Sequence, residues 1–173
     1  MRLLSKTSIP DFEIFSAEKG DEELILEFIF ALAVYEKLED DVVATTDDLA
    51  KYLFSDQKVA EVILGLFRGK PAGFALFFHN YSTFMGRPGI YLEDLFVHEE
   101  YRGMGFGKSL LTYLAKIAVE RNCGRLEWAV LDWNEPSIRF YESLGARIMK
   151  EWLINRVSAK ELENLANMFG DGK

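Results

Sequence analysis

A short segment in the second half of the chain carries three glycines within five residues, Gly103, Gly105 and Gly107. It follows the apolar residues 90–97 and precedes a segment whose leucines recur at helical spacing. Glycine adopts left-handed backbone conformations without a steric penalty, so this segment predicts a tight turn between a strand and a helix. The first N–H groups of a helix have no partner within it, and with the helix dipole they favour an anion such as phosphate. The pattern therefore predicts a strand, an anion-binding turn and a helix, in that order.

Two common phosphate-binding motifs do not fit this turn. A Walker A loop requires a glycine five residues before Gly107, where the chain has Arg102. A dinucleotide-binding fingerprint requires a glycine at position 108, which is Lys108. The turn therefore either binds another phosphorylated ligand or serves the geometry of the chain alone.

The hydrophobic pattern of the whole chain predicts an α/β fold of the α+β type. We expect seven strands, at residues 12–15, 59–68, 74–81, 90–97, 126–131, 147–149 and 152–157. We expect four helices, at residues 21–38, 46–54, 105–121 and 134–144, with Thr46 as the N-cap of the second. Because strands and helices neither alternate strictly nor segregate along the chain, their order favours a central mixed sheet with helices on both faces.

The size and apolar content of the chain indicate one domain. Its 173 residues fall in the usual range for a single domain, and 49% of them are hydrophobic, which is enough for a packed core. We therefore expect a single domain over residues 1–173, with its core over about 12–157 and a flexible tail at 170–173.

The charge and the cysteine content limit the partners of the protein. Its 20 basic and 28 acidic residues give a net charge of -8, which argues against nucleic-acid binding and suits a cationic ligand. One cysteine, Cys123, excludes an internal disulfide, and with two histidines no Cys/His zinc site can be assembled. We find no apolar run of signal-peptide or membrane-spanning length. We expect a cytoplasmic protein without a metal or a membrane partner.

Several separated blocks of the sequence resemble one enzyme family. Residues 102–107 match the R-x-x-G-x-G/A loop with which the GCN5-related N-acetyltransferases (GNAT) bind the pyrophosphate of acetyl-CoA. Residues 91–97, 101–103 and 132–141 are similar to blocks of the diamine (spermidine/spermine) and thialysine N-acetyltransferase branch, and the similarity extends from about Phe12 to Val157. The resemblance implies the GNAT fold, with a mostly antiparallel sheet of about seven strands, and acetyl-CoA as cosubstrate. It also implies a homodimer in which the C-terminal strands of two subunits meet, with Trp152 as a contact.

Acetyl transfer to an amine requires a group that takes a proton from the ammonium form, whose pKa is about 10.4 in water. Glu93 and Asp94 are candidates because they lie in the apolar segment 90–97. The two-residue period of a strand predicts that their carboxylates lie on opposite faces of the sheet, at least one of them near a buried surface. A solvated pair of surface acids is the alternative. The resemblance implies Glu93 as the catalytic base and Asp94 as a contact for the cationic substrate.

The same reaction requires an acid that protonates the departing CoA thiolate. Tyr141 is the candidate, since it follows Asn134 by seven residues, or two helical turns, on the predicted helix 134–144. We expect Asn134 to be the N-cap of this helix. An ordinary core tyrosine packed against Phe140 is the alternative. The resemblance implies that Tyr141 is the general acid.

The resemblance also implies which residues bind the two substrates. Backbone groups at the end of the segment 90–97 would lie along the pantetheine arm and the thioester oxygen, where a bulge in the strand leaves N–H groups unpaired. The glycine turn would bind the pyrophosphate. The residues assigned to acetyl-CoA are Leu95, Phe96, Val97, Arg102, Gly103, Met104, Gly105, Phe106, Gly107, Lys108, Asn134 and Ser137. The residues assigned to the acceptor amine are Asp94, Tyr35, Glu36 and Phe84.

Two positions separate this chain from the polyamine enzymes of the branch. Where those enzymes have an acidic residue and a tryptophan shortly before the third strand, this chain has Ser82 and Phe84. The missing carboxylate weakens the case for a long polycation. A lysine-, thialysine- or ornithine-like amino acid, or a short diamine, is therefore the expected acceptor, ahead of a polyamine.

Two other functions are compatible with the resemblance. An acetyltransferase for a protein lysine or N-terminus would need a long open acceptor groove, whereas the acidic residues that follow Tyr35 favour a small cation. A non-catalytic acyl-CoA-binding module would have a damaged acid or base, whereas Tyr141 and Glu93 are both present. Acetylation of a small amine is therefore the preferred function.

Overall fold

The fold is that of a computed structural model, which describes residues 1–169. The predicted flexible tail, residues 170–173, lies outside the described residues. The chain divides into two compact units, Met1–Ala129 and a second unit that begins at Val130. The first unit contains the sheet and three helices, and the second contains two helices.

A mixed sheet of six strands forms the centre of the first unit. The strands are β1 (Arg2–Lys6), β2 (Phe12–Ser16), β3 (Glu61–Phe67), β4 (Lys70–Ser82), β5 (Arg87–Val97) and β6 (Leu126–Trp128). They lie side by side in chain order, with antiparallel neighbours from β1 to β5 and a parallel pair of β5 and β6. The predicted mixed and mostly antiparallel α/β fold is confirmed, with six strands over residues 1–169 instead of about seven.

Five α-helices accompany the sheet in the described part of the chain. They are α1 (Glu22–Glu36), α2 (Thr46–Phe54), α3 (Phe106–Glu120), α4 (Glu135–Ser143) and α5 (Ala159–Asn167). The first four agree with the predicted helices to within two residues at each end. The N-cap of α2 is Thr45 and not Thr46, because the Thr45 hydroxyl accepts the Asp48 N–H at 3.2 Å and the Asp48 carboxylate accepts the Thr45 N–H at 3.0 Å.

The helices of the first unit cover both faces of the sheet. Phe12 and Phe15 are three residues apart on β2 and therefore point to opposite faces. Phe15 packs in the core that α1 and α2 form with the sheet. Phe12 stacks on Phe106 of α3 with ring centroids 4.0 Å apart. The parallel pair of β5 and β6 needs a crossover connection, which α3 supplies on this second face.

The two strands predicted at residues 147–149 and 152–157 are wrong. These residues form no strand in the described second unit, and Trp152 is 69% exposed. Aromatic and β-branched residues favour strands chiefly through packing against paired strands, and here they have no such partner. Helix α5 follows instead, and its alanines, lysine, leucines and glutamates are good helix formers.

Two further differences concern the ends of the sheet. The sequence pattern does not predict β1, because this edge strand contains an arginine, a serine and a lysine among five residues and so lacks a clear apolar alternation. Strand β6 ends at Trp128, three residues before the predicted end. Both differences lie at edges, where pairing on only one side gives a weak sequence signal.

Candidate active site

The glycine turn between β5 and α3 has the conformation that its sequence predicts. Gly103 and Gly105 have φ angles of 77° and 87°, in the left-handed region where other residues are strained. Gly105 is the N-cap of α3, without a side chain that could cap the helix. The next residue, Phe106, is buried and anchors the helix start through its stacking on Phe12, whereas Met104 is 43% exposed. The turn is therefore fixed to the core at one end and open to solvent.

The start of α3 favours a negatively charged ligand. The Ser109 N–H donates to the Gly105 carbonyl at 2.9 Å, which is the first hydrogen bond of the helix ladder. The N–H groups that precede Ser109 in the first turn have no partner within the helix. This turn contains no acidic residue, and Lys108 is exposed in it. Helix dipole and side-chain charge thus act together to attract an anion.

Strand β5 has a β-bulge at its two acidic residues. In the register with β4, Asp94 lies opposite Leu76, and Leu92 lies opposite Phe77. Glu93 is therefore an extra residue, and Glu93 and Asp94 together oppose Leu76. The bulge places the two carboxylates at the point where the regular pairing of the strand is interrupted.

The bulge also changes the face on which the carboxylates lie. Leu76 packs against the core under α1, and Asp94 is opposite Leu76 in the register. Tyr91 lies on the same face, since its ring is 5.2 Å from that of Phe78, which packs against that core. Glu93, two residues after Tyr91, therefore points to this face as well. The prediction that the two carboxylates lie on opposite faces is wrong, because the extra residue breaks the alternation.

Three carboxyl groups interact on this face. Asp94 is half-buried and Glu93 is exposed. Burial, followed by the negative charges of Glu93 and Glu36, raises the pKa of Asp94 to about 7. Glu36 is the last residue of α1, and burial raises the pKa of its carboxyl group. A proton or a cation is therefore favoured at Asp94 near neutral pH.

Arg102 brings the end of α1 and the end of β5 to the start of the glycine turn. Its Nε donates to the Val97 carbonyl at 3.0 Å. Its guanidinium carbon lies 4.5 Å from the ring centre of Tyr35 and 5.5 Å from that of Phe96. Tyr35, which neighbours Glu36 in α1, is thus in contact with the residue that opens the turn.

The other predicted residues of the first unit differ in exposure. Phe96 is buried in the core under α1, and Leu95 and Val97 are half-buried near the end of β5. A Cβ at Gly73 on β4 would lie 2.6 Å from the Phe96 carbonyl oxygen, so the backbones approach closely there. Phe84, in the turn between β4 and β5, is 95% exposed. Its contact with an acceptor amine stays a prediction.

The second unit carries the remaining predicted residues on α4. Asn134 is buried and is the N-cap of this helix, with its Oδ1 accepting the Ser137 N–H at 3.3 Å. The predicted capping role of Asn134 is confirmed. Tyr141 is half-buried on the same helix, and its ring centre is 5.2 Å from that of Phe140. This contact is the one that an ordinary packed tyrosine would make, so the acid role of Tyr141 stays a prediction.

Residues 1–169 contain no group of three or more His, Cys, Asp or Glu side chains arranged to hold a metal ion. None of the helices in this range has the length and apolar character needed to span a membrane.

The family of the chain follows from its match to a family model. The model of the acetyltransferase (GNAT) family matches residues 24–146, which are more than half of the chain. The chain belongs to the GNAT family. The predicted family and enzyme class are confirmed, and both the bulge in β5 and the glycine turn lie within the matched region.

Three known proteins illustrate what this GNAT protein is similar to. L-Ornithine N5-acetyltransferase NATA1 of Arabidopsis thaliana is 51% identical over 92 residues, 53% of this chain and 40% of that protein. The chain thus spans less than half the length of this relative. Thialysine N-epsilon-acetyltransferase of Bos taurus is 36% identical over 166 residues, 88% of this chain and 96% of that protein. An integron cassette protein from the mobile metagenome of V. cholerae has a structure with a TM-score of 0.76 and 32% identity, covering 90% of this chain and 98% of that one.

Sequence reasoning missed two features of this GNAT site. It missed the position of the bulge that the resemblance implies, because Glu93 is recognisable as the extra residue only in the register of β5 with β4. It also missed the contact between Arg102 and Tyr35, for which no local pattern exists because 67 positions separate the two residues. Only the pairing of strands and the packing of α1 bring such residues together.

Proposed function

We propose that this chain transfers an acetyl group from acetyl-CoA directly to the primary amine of a small cationic acceptor. The observation that carries the proposal is the group of three interacting carboxyls, Glu36, Glu93 and Asp94, at the bulge of β5. A cationic amine would neutralise this group and give up a proton to it. The start of α3, which favours an anion, supports acetyl-CoA as the acetyl donor, because CoA is a phosphorylated ligand.

The carboxylates have separate roles in this proposal. Glu93 takes the proton of the ammonium group, directly or through a water molecule, because an amine with a pKa of about 10.4 arrives charged. Asp94 binds the cation together with Tyr35, Glu36 and Phe84. The pKa of Asp94, raised to about 7, also qualifies this residue to take the proton. Substitution of each carboxylate separately therefore tests the assignment.

The departure of CoA as a thiolate needs a proton donor. The neutral amine nitrogen attacks the thioester carbonyl carbon, an N–C bond forms, the C–S bond breaks and CoA leaves as a thiolate. Tyr141 donates the proton that the sulfur needs and regains one as the acylated nitrogen loses its second proton, directly or through solvent. A thiol has a pKa of about 8.5 and a phenol of about 10, so this transfer is slightly uphill in water and requires help from the surroundings of the tyrosine.

The proposed donor site uses backbone groups more than side chains. The N–H groups at the start of α3 bind the pyrophosphate, with Arg102 and Lys108 adding positive charge. Backbone groups of Leu95, Phe96 and Val97 lie along the pantetheine arm and the thioester oxygen. Asn134 binds the pantetheine amide, and Ser137 is a further contact of acetyl-CoA. The fit is supported by the left-handed glycines Gly103 and Gly105, which leave the turn before α3 without side chains at these positions.

We propose a lysine-, thialysine- or ornithine-like amino acid, or a short diamine, as the acceptor. The names of the two relatives described above refer to ornithine and thialysine, which supports a diamino acid. Ser82 and Phe84 stand where the polyamine branch has an acid and a tryptophan, so one contact for a long polycation is missing. A polyamine is therefore the weaker candidate.

We also propose that the protein works as a cytoplasmic homodimer and that both units form one acetyltransferase domain. The family match runs from residue 24 to residue 146 and therefore crosses the boundary between the units. Trp152, Leu153 and Ile154 are 69%, 83% and 72% exposed, an apolar run suited to a second subunit.

A panel of amines tests the proposed function. Thialysine, lysine, ornithine, putrescine, spermidine and a histone-tail peptide are incubated with acetyl-CoA, and released thiol is measured. The proposal expects turnover with the diamino acids or putrescine above that with spermidine and the peptide. Turnover with the peptide alone would indicate a protein acetyltransferase. Binding of CoA without turnover of any amine would indicate a non-catalytic module.

A further inference from the structure

Arg102 makes side-chain contacts that its proposed role at the pyrophosphate does not explain. It opens the glycine turn, but its Nε donates back to the Val97 carbonyl at 3.0 Å. Its guanidinium carbon lies 4.5 Å from the ring centre of Tyr35, within the range of a cation–π contact. One side chain thus joins the strand that precedes the turn to a helix 67 positions earlier in the sequence.

The bond to Val97 determines where the turn begins. Val97 is the last residue of β5, and a short 3-10 turn, Glu99–Tyr101, separates it from Arg102. The Arg102 N–H donates to the Glu99 carbonyl at 3.1 Å, and the side chain closes the segment on the strand end. The segment 97–102 is thereby held in one conformation, which orients the glycines that follow.

The contact with Tyr35 connects the glycine turn to the end of α1. Tyr35 and Glu36 are the last two residues of α1, and the charge of Glu36 contributes to the raised pKa of Asp94. The ring centre of Phe96, two residues after Asp94, lies 5.5 Å from the same guanidinium carbon. Arg102 therefore touches both elements that carry the carboxyl groups of the proposed acceptor site.

We propose that Arg102 is a positioning residue that couples the binding of acetyl-CoA at the glycine turn to the binding of the amine at the end of α1. The inference rests on the proposed function, which supplies the two ligands. When acetyl-CoA orders the turn, Arg102 holds Tyr35 and Glu36 in the position that the amine requires. Coupling of this kind is reciprocal, so the amine strengthens the binding of acetyl-CoA by the same factor.

A role as a phosphate ligand alone makes a different prediction. In that case the substitution of Arg102 weakens acetyl-CoA binding, whereas a substitution at Tyr35 affects only the amine. In the coupled case Tyr35 acts on acetyl-CoA through Arg102, because an unsupported turn must be ordered when the ligand binds. The two roles are therefore separated by the effect of Tyr35, which the proposed function assigns to the amine, on the affinity for acetyl-CoA.

A double-mutant cycle measures this effect. Acetyl-CoA affinity is determined by calorimetry for wild type, Arg102→Lys, Tyr35→Leu and the double variant. Arg102→Lys keeps the charge and loses the planar contact. We expect each single variant to bind acetyl-CoA about three- to tenfold more weakly, as the loss of one cation–π contact implies. The double variant should be no weaker than the weaker single variant, and Tyr35→Phe, which keeps the ring face, should bind like wild type.

Steady-state kinetics provide the second readout. In the wild type, saturating acetyl-CoA should lower the KM of the amine several-fold relative to low acetyl-CoA, and Arg102→Lys should abolish this dependence. Lys116→Gln is the matched control, because it removes another cation from beside a tyrosine ring: the Lys116 Nζ lies 5.6 Å from the ring centre of Tyr113 on α3. Hydrogen exchange of the turn amides in Arg102→Lys, expected to be faster than in wild type, gives a measure that does not depend on the Tyr35 variants.

The outcomes separate this inference from the proposed function. Unchanged acetyl-CoA affinity in Tyr35→Leu, or additive effects of the two substitutions, would reject the coupling and leave Arg102 as a phosphate ligand. A wild type that binds no acetyl-CoA at all would instead reject the proposed function. Non-additive losses, together with an amine KM that no longer depends on acetyl-CoA in Arg102→Lys and an unaffected Lys116→Gln, would establish Arg102 as the link between the two ligands.

Discussion

The half-buried carboxyl group of Asp94 makes the stability of the protein depend on pH. Its pKa is raised from 3.8 to about 7, so between these values the native chain holds a proton that the unfolded chain releases. The free energy of unfolding should therefore fall as the pH rises from about 4 to 7. Asp94→Asn removes this loss and should be more stable than wild type by about 1 to 2 kcal/mol at pH 8, with no gain near pH 4. Thermal unfolding of both proteins across this range measures the difference, and a pH-independent difference would contradict it.

The same carboxyl group should control the pH dependence of catalysis. A cationic amine binds best to ionised Asp94, so kcat/KM for the amine should rise as the pH increases through about 7. Asp94→Asn should lose this step and show at least a tenfold lower kcat/KM at pH 8. Glu93→Gln is the matched comparison, because it should keep the step but move it to lower pH through the loss of a neighbouring negative charge. Identical pH profiles for wild type and Asp94→Asn would exclude Asp94 from amine recognition.

Tyr141 differs from the carboxylates in that its substitution should affect the chemical step alone. Tyr141→Phe keeps the ring that contacts Phe140 and removes the hydroxyl that would protonate the thiolate. We expect kcat to fall by a factor of about 10² or more while the affinity for acetyl-CoA stays unchanged. Phe140→Leu serves as a control for packing, since it removes the neighbouring ring and keeps the hydroxyl. Unchanged turnover in Tyr141→Phe would assign Tyr141 to the core.

The glycine turn makes a prediction at the level of an element. Gly105 is the N-cap of α3 in the left-handed conformation, and a Cβ there would lie 3.3 Å from Ile9 Cδ1. Gly105→Asp adds strain, bulk and a negative charge where a pyrophosphate is proposed to bind, so acetyl-CoA binding should be lost. Gly69→Asp is the control, because Gly69 has a φ of 75° with open space around it in the turn between β3 and β4. It should cost about 1 kcal/mol of stability and leave binding intact. Normal binding in Gly105→Asp would remove the pyrophosphate from this turn.

The elements that the sequence predicts well are those with a local signal. The apolar spacing of α1 and α3 and the asparagine cap of α4 each lie within one segment, and the structure confirms them. The bulge at Glu93 is different, because it exists only in the register between β4 and β5. The extended residues 147–157 show the opposite error, since their strand-like composition has no partner strand in the described chain. Pairing between strands is therefore the information that the local pattern lacks.

At the scale of the whole molecule, the order of the elements and the blocks at residues 91–97, 101–107 and 132–141 indicate the fold and the family together. The fold and the family can be inferred from the order of the elements and from short sequence blocks, and neither inference requires knowledge of contacts between distant residues. The candidate site was predictable to the level of residue types, namely an acidic pair, a glycine turn and a capped helix. The contact of Arg102 with Tyr35 and the shared face of Glu93 and Asp94 required the packed structure. The sequence thus predicts which charged residues the site contains, whereas the contacts between them depend on how the strands and helices pack.

The apolar run at Trp152, Leu153 and Ile154 leads to a prediction about assembly. Side chains of this size at 69% to 83% exposure are costly in water when they are contiguous, and a second subunit would cover them. We expect light scattering to give twice the 19.8 kDa mass of the chain. Ile154→Glu should shift the protein toward the monomer by placing a charge in the interface. Val119→Glu is the control, because Val119 is similarly exposed, at 79%, as a single apolar residue on α3, and this variant should keep the mass of the wild type. A monomeric wild type at micromolar concentration would contradict the dimer.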